Sequence, residues 1–476
     1  MSPSDATKER SKRRIPVEST GAFVESQAWP WTTAGALLAL WFILGRADIS
    51  RFSAAVGLGE PAIVGSPRFL VGATVVAVLL LASKGRIRVE GWRGPLAFVL
   101  GALGLVAGAS IWWGPSGELA VAKAQDVALV LCVTLSVLTV AGPLSRARSL
   151  WAAFVVSGGV MALCLLFLGL IQAATTDLGR IAALGGGPNV FGRNMLLVLC
   201  GASLMLGRSR IIGPIGFATL GALTLVGVVL SGSRGALLAF VVMGLVLALH
   251  QIRTFRGLTA LTAVTAVIGL GAMLIEHPVL DRAAATWESR VVRATLAEQH
   301  LAGRDRLYGE AVAVWRENPV LGLGLGSFQT RSALRYPHNI VLETGAELGT
   351  VGAGLLLLLL LAGFWCSARA FEDHPELMAL WAGLLIHAMW SGDIYDSRGV
   401  FLLSAMAVTL TTGGQARATP PRTASPLACR RRSQRSWVKT ELPTPFDGIR
   451  SGLRRKWFPE GGLWLIAFRS RLGPRC

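Results

Sequence analysis

The chain has 476 residues, 53% of them hydrophobic and 15% charged, against about 25% charged in a soluble domain. That balance excludes an ordinary soluble protein. The formal net charge of +19 points to an anionic surface or substrate, and six cysteines without CxxC or His-partnered spacing support neither disulfides nor a metal centre.

In chain order, the first 28 residues are polar and basic, with Lys8, Arg10, Lys12, Arg13 and Arg14. No small-residue cleavage site follows the first apolar segment, so no cleavable signal is expected. Apolar stretches near the length of about 20 residues that a spanning helix needs then recur at 29–45, 68–83, 94–113, 119–142, 149–173, 189–207, 211–230, 235–250 and 257–275. A long polar interval, 276–347, separates these from three more at 348–366, 377–390 and 399–412. The last two are short enough to pair as a hairpin, so ten to twelve spans are expected. Four of the cysteines (132, 164, 200, 366) fall in such runs, where Cys acts as a small hydrophobe. The fold class is an all-α integral membrane protein of about twelve transmembrane helices with one large extracytoplasmic helical loop.

Charge sets the expected orientation. Lys84, Arg86, Arg88, Arg93, Arg146, Arg148, Arg208, Arg210, Arg253, Arg256 and Arg369 share one side with the N-terminus if the spans alternate. Lys/Arg enrichment marks that side as cytoplasmic. The expected organisation is a cytoplasmic segment 1–28, helices 1–9 over 29–275, the outward loop 276–347, helices 10–12 over 348–412 and a basic cytoplasmic tail over 413–476. The tail carries fourteen Lys/Arg against three Asp/Glu and has the composition of a disordered segment. Beside so many spans its charge suits anionic lipids, so membrane lipids are expected partners and nucleic acid is not.

The outward side should be poor in basic residues, and its arginines sit in distinctive settings: Arg180 and Arg193 in "GRIAALGGGPNVFGRN", Arg234 in "SGSRG", Arg398 after "SGDIYD", and Arg304, Arg306, Arg331 and Arg335 in the long loop. Arginines against the topology bias suit anion binding. Some of them can equally cap helices or pair with Asp177, Asp305 or Glu310. The loop reads as helix from about 281 to 316, divided at Gly303 and ended by Asn318-Pro319. The glycines of "GLGLGSF", Gly322, Gly324 and Gly326, make a tight loop at the membrane surface; without a preceding strand or a Lys it is no nucleotide loop.

"HNIVLETGAELG", 338–349, precedes the most apolar run of the chain. As a helix it places Asn339, Glu343 and Glu347 on one face, which must point into the bundle because lipid exposure of carboxylates is costly. Gly345, Gly349 and Gly352 have the spacing that lets helices approach closely. His338 stands at the mouth, able to take a proton near neutral pH, or simply to cap the helix. Ser231 and Arg234, three apart, suit phosphate oxygens. With no metal ligands or nucleotide loop, this set fits a lipid-linked anion whose diphosphate leaving group is held by guanidinium groups, while histidine deprotonates an attacking hydroxyl.

At these residues the sequence resembles the bacterial O-antigen ligase family, which also embraces O-antigen polymerases. The resemblance runs from about Arg180 to Gly354 through "GRIAALGGGPNVFGRN", "SGSRGALLAF", "GRDRLYGEAVAVWRENPVLGLGLGSF" and "PHNIVLETGAELGTVGAG". It implies a GT-C-like glycosyltransferase of the bacterial cytoplasmic membrane, without metal or other cofactor, acting on its outer face. The implied donor is an undecaprenyl-diphosphate-linked glycan and the acceptor a lipid or glycan hydroxyl. Arg180, Arg193, Ser231, Arg234 and Arg304 would hold the diphosphate; His338, with Asn339 and Glu343, would assist the acceptor; Gly322, Gly324, Gly326 and Glu347 would shape the site. A polymerase of the same family and a transporter of the same lipid-linked glycan are the alternatives.

Overall fold

The computed structural model describes residues 19–45, 67–114, 117–140, 144–172, 180–182, 186–206, 212–251, 284–289, 293, 304–332 and 336–415. The expected span 257–275, the start of the long loop to Gly303 apart from 284–289 and 293, and nearly all of the N-terminal segment and basic tail lie outside them. Among the described residues there is no strand.

Thirteen α-helices organise these residues: α1 (Ser19–Leu44), α2 (Pro67–Ser83), α3 (Arg93–Ala109), α4 (Gly117–Val140), α5 (Leu144–Gln172), α6 (Gly187–Leu204), α7 (Pro214–Ser231), α8 (Arg234–Gln251), α9 (Arg304–Glu317), α10 (Ser327–Arg331), α11 (Ile340–Arg369), α12 (Pro375–Trp390) and α13 (Arg398–Gln415). Every apolar stretch of the sequence falls on one of them, 257–275 apart. Five helical segments are long and apolar enough to cross a membrane: Arg93–Trp112, Gly117–Val140, Leu144–Leu170, Pro214–Ser231 and Ile340–Arg369. The shorter apolar helices Trp29–Leu44, Pro67–Ser83, Arg234–His250 and Arg398–Thr412 pack among them.

The packing is sequential and dense. Helix α1 lies against α2 and α5, α6 against α5 and α7, and α12 against α8. Helix α13 is enclosed by α4, α5, α11 and α12, and its residues 400–410 are buried. It is apolar all round because it is covered all round. Helix α11 differs: Leu357, Leu358, Leu361, Phe364 and Trp365 are exposed, a stripe at i, i+3 and i+4 spacing that has no protein partner and suits lipid.

Contacts between helix ends show that consecutive helices alternate in direction. At one end, the Arg398 guanidinium at the start of α13 donates to the Phe42 carbonyl near the end of α1. There, too, Arg68 of α2 pairs with Asp126 of α4 at 3.1 Å, and Arg180 donates to the carbonyl of Ser231, at the end of α7. At the opposite end Arg93 of α3 donates to Thr412 of α13 at 3.1 Å, and the Trp151 indole of α5 donates to Glu376 of α12. The bundle thus has two chemically distinct ends, and the polar motifs gather at the first.

Candidate functional site

The site is built on an interrupted helix. Helix α11 starts at Asn339, whose side-chain oxygen accepts from Val341 N (3.0 Å) and Leu342 N (3.1 Å), satisfying the free amides of a first turn. Ten residues on, Gly349 adopts φ +65°, which breaks the ladder. The two helical bonds lost there, Thr350 N to Ala346 O and Val351 N to Glu347 O, are replaced on both sides by the glycine-rich loop. Thr350 N and Val351 N donate to Pro319 O and Val320 O (2.8 and 3.2 Å), while Leu323 N and Gly324 N donate to Ala346 O and Glu347 O (3.1 and 2.9 Å). Backbone polar groups at membrane depth must be paired, and this exchange pairs them all.

Gly322, Gly324 and Gly326 follow that path at φ +69°, +88° and +82°. A Cβ on Gly324 would lie 2.7 Å from Ser110 O and 2.8 Å from Gly114 N. The loop was expected at the surface and Gly349 at a helix contact. The structure instead laces the loop into the helix, and Gly349 supplies the break that receives it. Gly345 does serve close packing, against the Trp315 ring.

The break also fixes two carboxylates. Glu343 and Glu347 are wholly buried and converge on one cation, Lys123 of α4. The Lys123 ammonium pairs with the Glu343 carboxylate and lies 2.7 Å from the Glu347 carboxylate. Two buried carboxylates side by side would repel strongly, and the shared ammonium turns that repulsion into a clamp between α4 and α11. Asn339 lies off this clamp, occupied with its cap.

Beside the clamp opens a cavity of about 530 Å³ lined by Lys123, Asp126, Asn189, Arg193, His387, Asp393 and Asp396, among others. Arg193 is buried, donates to the Asp396 carbonyl and lies over the Phe42 ring at 5.1 Å. His387 hydrogen-bonds the Asn189 backbone, while its Nε2 is buried without a hydrogen-bond partner among the described residues. Asp393 caps the local turn by accepting from Asp396 N at 2.8 Å. The cavity therefore sets basic groups, Lys123 and Arg193, among the carboxylates of Asp126, Asp393 and Asp396.

His338 stands just before α11, half-buried, with its ring edge-on to Tyr336 (4.8 Å between centroids). Its Nδ1 accepts from Gly392 N at 3.4 Å, which joins it to the Ser391–Ser397 segment on the cavity's edge. Burial and the nearby Arg304 charge hold the imidazole below its ordinary range, with Asp396 and Asp393 pulling the other way. It is neutral at neutral pH. In the neutral ring an accepting Nδ1 puts the proton on Nε2.

The sequence-predicted arginines divide into two groups. Arg304 begins α9, lies over the Trp390 ring at 5.3 Å, and is held below its usual range by burial and by Arg234. Its Nη1 is buried without a hydrogen-bond partner among the described residues. Arg234 opens α8 where Gly235 packs against Trp390 and Ser391. Arg304 and Arg234 therefore make a cationic corner around the end of α12, with His338 beside it. Arg180 is committed elsewhere: its Nε donates to Ser231 O at 2.8 Å and its Nη2 to Asn189 at 3.1 Å. Ser231 ends α7, with its hydroxyl donating to Val228 O and accepting from Ser233 N. It does not share a helix face with Arg234, since α7 ends at Ser231 and α8 begins at Arg234.

Lys123, Asp126, His387, Asp393 and Asp396 went unread in the sequence. A lysine inside an apolar run was the available signal, because an ionisable residue at membrane depth marks a site.

Residues 219–357, from within α7 to beyond the break in α11, match the family model described as O-antigen ligase. This region is an O-antigen ligase domain. It takes in Arg234, Arg304, His338, the glycine-rich loop and both glutamates, and the match supports a function of the O-antigen ligase and polymerase kind. No curated protein matches the chain.

Proposed function

We propose that the chain transfers a glycan from a polyprenyl diphosphate to a hydroxyl of a lipid core or a growing glycan, at the end of the bundle where the cavity opens. The observation that carries this reading is the cationic corner of Arg304 and Arg234, with neutral His338 beside it, at the rim of a polar cavity. The acceptor oxygen attacks the anomeric carbon, and the carbon–oxygen bond to the diphosphate breaks. Its electron pair leaves with the diphosphate, whose charge Arg304 and Arg234 neutralise. The buried Nη1 of Arg304, without a partner among the described residues, is the donor best suited to that oxyanion. The polyprenyl tail lies in lipid, and the acceptor sugar sits in the cavity against Asp126, Asp393 and Asp396.

His338 takes one of two roles. As a base it receives the hydroxyl proton on Nε2, which requires the other tautomer and release of the Gly392 amide. The bond from Gly392 N to Nδ1 favours the alternative: Nε2–H donates to the departing phosphate oxygen, and the hydroxyl proton passes to the Asp393 carboxylate.

Reconstituted transfer with a polyprenyl-diphosphate oligosaccharide separates them. For a base, His338→Gln and His338→Ala both lose roughly 10²–10⁴-fold, and wild-type rates fall with acid only below the ordinary histidine range, because the imidazole is held low. For a donor, His338→Gln keeps most of the rate that His338→Ala loses, and protonation leaves Nε2–H in place, so no acid limb comes from this ring. Movement of the lipid between leaflets without a new glycosidic bond overturns the transfer reading and leaves a transporter.

We infer further that the site end faces outward. The opposite end carries Lys84, Arg86, Arg88, Arg93, Arg146, Arg148 and Arg369, as a cytoplasmic face does. Alternation of the helices, with 257–275 taken as a further span, supports a topology of about twelve spans with both termini on that side.

A further inference from the structure

We propose that the basic end of the bundle holds a second site, one that binds the phosphate of an anionic phospholipid headgroup. A cavity of about 220 Å³ opens there between the N-terminal part of α5 and the C-terminal ends of α11 and α13. Arg148, Arg369, Thr411, Thr412 and Trp92 contribute its walls, and Asp373 supplies the opposing carboxylate. Arg93, buried beside it and tied to Thr412, adds to the positive charge at this end.

Two guanidinium groups from separate helices converging on one small space suit a phosphate oxyanion, which arginine binds through paired hydrogen bonds. The volume falls below the roughly 300–1,000 Å³ of pockets that enclose drug-sized ligands, so it fits a headgroup and excludes an oligosaccharide. A lipid source is favoured by what adjoins it. The Arg369 guanidinium lies over the Trp365 ring at 4.8 Å, and Trp365 ends the exposed stripe of Leu357, Leu358, Leu361 and Phe364 on α11. An acyl chain laid along that stripe brings its phosphate to Arg369. Trp92, also exposed, stands on the cavity wall, and Trp at such a level marks a membrane–water interface. Basic cavities between helix ends on the anionic leaflet are where such headgroups bind. The inference does not depend on the transfer reaction.

Native mass spectrometry of the full chain in mild detergent tests it, with added dioleoylphosphatidylglycerol, dioleoylphosphatidylcholine or inorganic phosphate. Wild type should retain phosphatidylglycerol in preference to phosphatidylcholine, and inorganic phosphate should not displace it. The doubly substituted R148Q/R369Q chain should lose roughly tenfold or more in phosphatidylglycerol retention, and R148K/R369K should recover part of it. An unchanged melting temperature in detergent without lipid confirms that the variants are folded. Equal retention of both lipids, full retention by a folded R148Q/R369Q chain, or displacement by inorganic phosphate overturns the proposal.

Discussion

The cavities at the two ends of the bundle handle charge in opposite ways. At the site end, charges are buried and answered by specific partners: Lys123 by two glutamates, Arg193 by the Asp396 backbone, Arg398 by Phe42 and Tyr395 carbonyls. At the other end Arg148 and Arg369 stand exposed at helix termini. Buried charge is costly unless paired, while a charge at a rim needs only water or a headgroup. The same residue types therefore hold a fixed geometry at one end and a surface potential at the other.

The strongest way to break that contrast is to remove the shared cation. Lys123→Met leaves two buried carboxylates facing each other and should destabilise the protein by about 3–5 kcal/mol. Unfolding in graded SDS would measure it, and the triple change K123M/E343Q/E347Q should restore most of the loss. Survival of Lys123→Met at wild-type stability would show that the clamp is not structural. A smaller effect is expected at the helix break. Gly349→Ala forces a side chain into φ +65° and against Val320, at a cost of about 1–3 kcal/mol, read in the same titration. Asn339→Ala should cost about 1 kcal/mol as a lost cap; a loss of transfer far beyond the loss of folded protein would assign Asn339 to the chemistry as well. At the basic end, Arg148→Gln should change stability by no more than about 0.5 kcal/mol. A larger value would mean that Arg148, like Arg93, is held by a specific pair.

Much of this was legible because it is local. Apolar runs announced the helices, and the fourfold spacing of Glu343 and Glu347 announced a shared face that must be buried. His338, read as the mouth of the helix, lies two residues before Ile340, where α11 begins. The partners were not legible, because they are far away in the chain: Lys123 meets Glu343 across 220 positions, and the glycine-rich loop meets α11 through backbone bonds that leave no trace in side-chain pattern. Gly349 illustrates the ambiguity. Glycines three and four apart fit close helix packing and a helix break equally well, and only the φ angle separates them. Arg180 and Ser231 have residue types suited to phosphate, yet the structure employs both in fastening α7 to its neighbours.

The distance between Lys123 and its partners has a consequence for synthesis. Helix α4 enters the membrane carrying a lysine about two turns from its end, while Glu343 is still 220 residues from being made. At about 5–20 residues per second that wait lasts roughly 10–45 s. During it the ammonium must reach back to the interfacial water along its own aliphatic stem. The nascent bundle therefore passes through a stage in which α4 is anchored to the membrane surface, and the arrival of α11 draws it inward.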